Sequence, residues 1–304
     1  MKKTYLLLLV LGTFLSGLRA QPFVDVLNVQ GTYFPKTNYD NYPGAKNETW
    51  QGAVNAFIPV VLKNKNTVLT GISYENMCFD MQYDTSSQTE STQLSSVTAQ
   101  LGFIYQFANT PWSVTVLAVP RIASDLKNFS GKHYQMGGAL LFTYQVRKSL
   151  KLKIGGYYNR EFFGNYFMGL AGIDWKAGKR IYVYGVLPGS LNLEYRISPW
   201  LYTGLAYKCI TASYRLGNPD NSYYVREGDT FWGDSRLSNF YHLYLTKNLV
   251  FNFDAGYSLY RYFEQYNSRD KVEVTRPVFH KSKDNWFFNT GLSFRIRLDN
   301  AYND

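Results

Sequence analysis

Hydrophobic and polar residues alternate with a period of two along most of the chain. From Trp50 to Leu62 the even positions read Trp, Gly, Val, Ala, Ile, Val and Leu, while the odd positions begin Gln51, Ala53, Asn55. Neighbouring side chains of a strand point to opposite faces, so such a segment has one apolar and one mixed face. The pattern recurs over 97–107, 134–146, 150–156, 191–197, 251–259 and 288–298. Turn-forming groups, such as Lys63-Asn64-Lys65-Asn66, Asn109-Thr110-Pro111, Arg147-Lys148-Ser149 and Lys247-Asn248, separate the strands at one end. Longer polar connections separate them at the other, over 35–49, 80–93, 123–133, 217–235 and 267–284.

Strands of this length, in dyad alternation, with short turns at one end and long loops at the other, are the pattern of a membrane barrel. The predicted fold is all-β: a transmembrane antiparallel up-and-down β-barrel of about 14 strands (range 12–16). Its polar face lines the lumen and its apolar face meets lipid. The first strand (23–34) and the eighth (166–176) alternate least cleanly. A soluble sandwich or lipocalin-type barrel would turn its apolar face inward and cover the outside with Lys and Glu. Here the polar positions hold mostly Gly, Ser, Thr, Asn and Gln.

Composition supports this placement. The 304 residues are 45% hydrophobic, 18% aromatic and 18% charged, with a mean hydropathy of −0.28. The charged share is below the roughly 25% of soluble chains, and the aromatic content excludes disorder. No run after residue 20 approaches the 18 apolar residues of a membrane helix. Trp50, Trp112, Tyr134, Trp175, Tyr262 and Trp286 fall at or near predicted strand ends, as interfacial girdles require.

Residues 1–20 have a basic start (Lys2, Lys3), a short apolar stretch and Arg19-Ala20 at a cleavage point. They are predicted to be a signal peptide, leaving 21–304 as one barrel domain. Its removal takes away three basic residues and reduces the formal charge from +10 to +7. The basic balance then points to lipopolysaccharide phosphates at the rims, not to nucleic acid. Cys78 and Cys209 fall on the third and eleventh predicted strands, which favours two unpaired thiols over a bridge.

Eight residues are predicted to line the lumen: Lys151, Lys153, Glu194, Arg196, His242, Asp254, Arg295 and Arg297. Asp254 and Arg295 are expected to pair across the last two strands. These charges either tune a pore wall or form a satisfied network that blocks it. His133 and His280 are placed in outer loops, and no Gly-x-Ser-x-Gly motif accompanies any His. No catalytic site, cofactor or metal is expected. The acidic and aromatic loop 217–235 matches no metal loop and is expected to be a solvated surface segment. No plug domain precedes the first strand, so any plug is an infolded loop or side chains.

The segment Leu187-Pro188-Gly189-Ser190-Leu191-Asn192-Leu193-Glu194-Tyr195-Arg196-Ile197-Ser198-Pro199 resembles a family of Bacteroidota outer-membrane β-barrel proteins, a domain of unknown function. The resemblance implies a barrel assembled in the outer membrane by the barrel assembly machinery, and no reaction. It departs at the end: the chain continues past Leu298 to Asp304, where such barrels often close on an aromatic residue.

The expected function is passive passage of a small solute through the lumen, with both termini periplasmic. The alternatives are a non-conducting, surface-exposed structural or binding barrel and, third, an outer-membrane hydrolase.

Overall fold

A computed structural model describes residues 22–39, 44–83, 89–127, 130–217, 223–228, 233–261, 263–267 and 282–298. Fourteen strands form the wall. They are β1 (Phe23–Asn38), β2 (Ala45–Val61), β3 (Thr67–Tyr83), β4 (Thr89–Gln106), β5 (Trp112–Ser124), β6 (Tyr134–Arg147) and β7 (Leu150–Glu161), then β8 (Gly164–Lys176), β9 (Ile181–Leu187), β10 (Ser190–Ser198), β11 (Leu201–Ile210), β14 (Asp234–Tyr244), β15 (Leu249–Leu259) and β17 (Asn285–Arg297). Each pairs antiparallel with the next, and β17 closes the barrel on β1, with Phe23 opposite Arg297 and Tyr33 opposite Phe288. Three further strands, β12 (Ala212–Arg215), β13 (Tyr223–Glu227) and β16 (Phe263–Asn267), pair with one another above the lumen. The helical structure among the described residues is a 3₁₀ turn at Gly131–His133.

The side-chain arrangement inverts that of a soluble protein. Leu27, Val54, Ile72, Leu101, Ile154, Phe167 and Leu205 are exposed on the outer face, whereas Glu194, Arg295, Asp234 and Ser293 are buried inside. Trp112, Tyr134 and Trp286 are exposed at or next to strand ends, whereas Trp50, also exposed, is the sixth residue of β2 because that strand begins earlier than its sequence pattern indicates. Trp50 stacks on Tyr33 and Trp286 meets Tyr257 towards the long-loop end, while Trp112 meets Tyr144 at the short-turn end. Trp175 is half-buried. Tyr262, His280 and the leader 1–20 lie outside the described residues.

Two features differ from the sequence expectation. The predicted loops 35–49 and 80–93 are largely strand, because β1 runs to Asn38, β2 starts at Ala45, and β3 and β4 pair from Thr67–Ile104 up to Gln82–Thr89. At 17 and 18 residues, β3 and β4 exceed the roughly 10 needed to cross a bilayer, so their upper parts stand above it. The eighth strand is regular over its 13 residues. The first carries the irregularities, with register shifts between Asp25 and Leu27 and between Phe34 and Thr37. The wall is lowest at β9 and β10, with 7 and 9 residues, whose turn leaves β8 paired on its β7 side only beyond the Ala171–Leu187 pair.

Candidate functional site

The lumen is divided into three levels. At the short-turn end, side chains from both sides of the barrel meet. Arg297 Nη2 donates to Glu194 Oε1 at 2.6 Å and Nη1 to Tyr244 OH at 3.0 Å. Arg295 holds Asp25 through two bonds, Nε at 2.6 Å and Nη2 at 2.9 Å, and its Nη1 lies 2.9 Å from His242 Nδ1. Its guanidinium sits 3.6 Å over the ring of Phe23. Phe23 on β1 touches Tyr184 on β9, although β10, β11, β14, β15 and β17 separate these strands in the wall. Glu194, Arg295 and Tyr182 are almost completely buried. Buried charges are tolerated when paired and hydrogen-bonded, as these are.

At the long-loop end the polypeptide itself fills the mouth. Between β11 and β14, the described residues 211–217 and 223–228 lie inward, with β12 and β13 paired antiparallel. Ala212, Tyr214 and Val225 pack on Met77, Phe79, Leu94 and Ala123 of the wall. This corrects the expectation that 217–235 is a solvated surface loop: its described part is a plug whose apolar residues find a hydrophobic cluster. Ser213 fastens it to the wall. Its Oγ donates to Glu161 Oε2 at 2.5 Å and accepts from Gln135 Nε2 and the Phe162 amide, both at 3.0 Å. Gly228 and Gly233, with φ of +75° and +60°, bring the chain back into β14. A Cβ on Gly233 would sit 2.5 Å from Cys209 Sγ, so the left-handed turn and the space both favour glycine.

A second ionic group ties the returning strand to the hairpin. Arg236 donates to Asp234 Oδ2 from Nε at 2.9 Å and from Nη2 at 2.6 Å, to Gln51 at 3.1 Å and to Glu227 at 3.4 Å. Asp234 also accepts from Ser258 Oγ. Asp234 thus takes the close fork, and Glu227, 2% exposed, has only long contacts. Burial in the plug, with Asp234 and Glu75 nearby and Arg236 opposing, pushes the Glu227 carboxyl up to about 7.

Between these two closures lies a chamber of about 600 Å³. It is bounded below by Phe23, Tyr184, His242 and Arg295, and above by Met77, Leu94, Tyr214 and Glu227. Amides of Asn28, Gln30, Asn55 and Asn192 and the charges of Glu75, Lys208 and Asp254 line its sides.

A family model described as a domain of unknown function, DUF6268, matches residues 16–295. The chain belongs to that family. No curated protein matches the sequence. Among solved structures, the COG4313 outer membrane channel from Pseudomonas putida F1 has a TM-score of 0.50 and 9% identity, over 91% of this chain and 97% of that one. The NanC porin scores 0.39 with 11% identity, over 89% of this chain and 100% of that one. The TodX deltaS2S3 mutant monoaromatic hydrocarbon channel scores 0.41 with 12% identity, over 95% and 94% respectively. The likeness to the first is one of fold, a closed membrane barrel.

Within this DUF6268 barrel, the eight residues singled out from sequence separate into four places. Glu194, His242, Arg295 and Arg297 form the lower closure. Lys153 pairs with Asp174 at 2.7 Å, with Lys151 beside it on the same strand face, towards the short-turn end of β7 and β8. Arg196 is half-buried on β10, two residues beyond Glu194. Asp254 faces the chamber and accepts from Asn289 Nδ2 at 2.7 Å. The expected Asp254–Arg295 pair does not form, because Asp254 stands opposite Asn289 and Arg295 reaches Asp25 on the other side of β17.

His242 has as ring neighbours Arg295, Glu194 at 3.7 Å, and the rings of Phe23 and Phe240. These are closure contacts, and no serine is among them. His133 is buried, with Nδ1 accepting from the Ser130 amide in a capping box. Cys78 on β3 and Cys209 on β11 are not joined by a disulfide.

Sequence reasoning missed Asp25, Glu75, Asp174, Lys208 and Arg236. The period-two rule reaches Glu75 from Met77 and Asp174 from Gly172. Asp25 lies before a bulge that resets the phase.

Proposed function

We propose that the protein is a gated passive channel for a small polar solute in the outer membrane of a Gram-negative bacterium. The observation that carries this is the polar chamber held between two closures made of side-chain contacts and an infolded hairpin. Both closures can open without breaking the wall, since the ladder from β1 round to β17 is complete without them. The orientation that fits has the short turns and both chain ends periplasmic, and the plug outside. Leu298 and Pro22, the last and first described residues, hydrogen-bond at the short-turn end. The 187–199 segment supports a Bacteroidota source. In this reading catalysis has no part, and lipopolysaccharide surrounds the protruding upper wall.

Planar-bilayer recording of the purified protein tests the reading. Discrete conductance steps are expected, and they are expected to lengthen when the plug is loosened. A barrel silent at every voltage, with the plug intact or cut, would instead establish a non-conducting surface barrel. That second reading draws on the same double closure.

A further inference from the structure

Besides His242, seven acidic or basic side chains line the chamber, and most are already satisfied. Asp25 is held by Arg295, and Arg236 is held by Asp234 with Glu227 beside it. Three are left facing the hollow. Lys208 on β11 is inward beside Arg236, exposed to the chamber, and has no ion pair among the described residues. The charges around it are Arg236, Glu75, Asp254 and Asp234, none of them as close as 4.0 Å. Glu75 on β3 is also exposed to the chamber, and its one contact is a long bond from Ser96 Oγ at 3.5 Å. Asp254 has Asn289 alone.

Opposite charges inside a barrel attract more strongly than in bulk water, because the effective dielectric is lower. One ammonium and two carboxylates kept apart therefore enclose a space meant for something of both signs. An anion alone meets two carboxylates, and a neutral sugar leaves three charges to be desolvated. The hollow, about twenty water volumes at roughly 30 Å³ each, suits an amino acid or dipeptide with some water. The surrounding Asn and Gln side chains can both donate and accept.

We propose that the chamber is a binding site for a small zwitterion, an α-amino acid or short peptide. Glu75 and Asp254 receive its ammonium group and Lys208 its carboxylate. The assignment rests on the channel reading by naming what passes, and it is tested separately from it. Calorimetry on the full mature protein in detergent would compare glycylglycine, N-acetylglycylglycine, glycylglycinamide and glucose. Glycylglycine should bind saturably, and blocking either end should weaken binding about tenfold, the worth of one hydrogen bond to a charged group. Lys208→Met should erase the difference between glycylglycine and its amide. Glu75→Gln should reduce the difference between glycylglycine and its acetyl form. A heat-dependent gel shift establishes that each variant is a folded barrel. Equal binding of all four probes, no binding at all, or folded variants with wild-type discrimination would overturn the assignment. Conductance steps without zwitterion discrimination would overturn this site and leave the channel. Zwitterion binding with a silent bilayer would do the reverse.

Discussion

Arg297 of β17 and Glu194 of β10 meet at 2.6 Å across the lumen, with β11, β14 and β15 between them in the wall. The pair is a chord and not a neighbour contact on the sheet. It joins two sides of the barrel and stands in the path of anything moving along the axis. Glu194→Ala should both raise conductance and destabilise the barrel, the latter by up to about 3 kcal/mol because half-buried Arg297 loses its carboxylate partner. Replacing both, as Glu194→Gln with Arg297→Met, should keep the conductance gain and recover most of the stability. Single-channel recording and the midpoint of the heat-dependent gel shift measure the two effects. Unchanged conductance in the double variant would show that the chord does not restrict the path.

Ser213 gives the plug its most exacting attachment. One hydroxyl satisfies Glu161, Gln135 and the Phe162 amide at once. Ser213→Ala takes the acceptor from the Phe162 amide and leaves Glu161 and Gln135 with each other and Asn159, at a cost of about 1–3 kcal/mol to the closed mouth. Limited proteolysis should then cut within the β11–β14 segment several-fold faster than in the wild type, while the wall stays resistant. Equal cutting rates would show that the hairpin is held by its apolar contacts alone.

The plug should also respond to pH through Glu227. In the closed mouth this carboxyl keeps its proton up to about pH 7; a solvated one releases it near the ordinary 4.5. Between those values the closed state binds more protons than the open one, so closure weakens as pH rises through the window. The full swing is roughly 3 kcal/mol for a Glu227 that becomes fully hydrated on opening. The groups that face it are Asp234, Arg236, Glu75, Arg261 and Tyr214. Open probability should therefore increase from about pH 5 to about pH 8 in bilayer recordings. Glu227→Gln, which cannot ionise, should flatten that dependence and stay closed at alkaline pH. A pH profile identical in wild type and variant would remove Glu227 from the gating of the mouth.

What the sequence revealed and what it hid follow from the solvent. Lipid outside forces every second wall residue to be apolar, so Leu193, Tyr195 and Ile197 mark Glu194 and Arg196 as inward. The phase of β17 marks Arg295 and Arg297 in the same way. The partners were harder. Asp25 is displaced by the bulge before Leu27. Lys208 lies in a strand with tyrosines on both faces, Tyr202 inward and Tyr207 outward, where alternation has no contrast. The plug was hidden because polarity in 217–235 masks Val225 within it and the preceding Ala212 and Tyr214. Their burial depends on Met77, Phe79 and Leu94, more than a hundred residues away in the chain.

The assignment of lipid and lumen faces can be tested within two adjacent residues of β10. Leu193 is 43% exposed on the outer face, whereas Asn192 lines the chamber and lies 3.5 Å from the Tyr184 carbonyl. Both lie mid-strand, at about the same depth. An arginine placed on the lipid face near the midplane costs about 2–4 kcal/mol, while lumen positions tolerate polar change. Leu193→Arg should therefore lower the unfolding free energy in phospholipid vesicles by that amount, and Asn192→Arg by much less. In a soluble β protein Leu193→Arg would alter a solvated surface and cost little. Equal small losses for the two variants would place the Leu193 face in water and refute the membrane barrel.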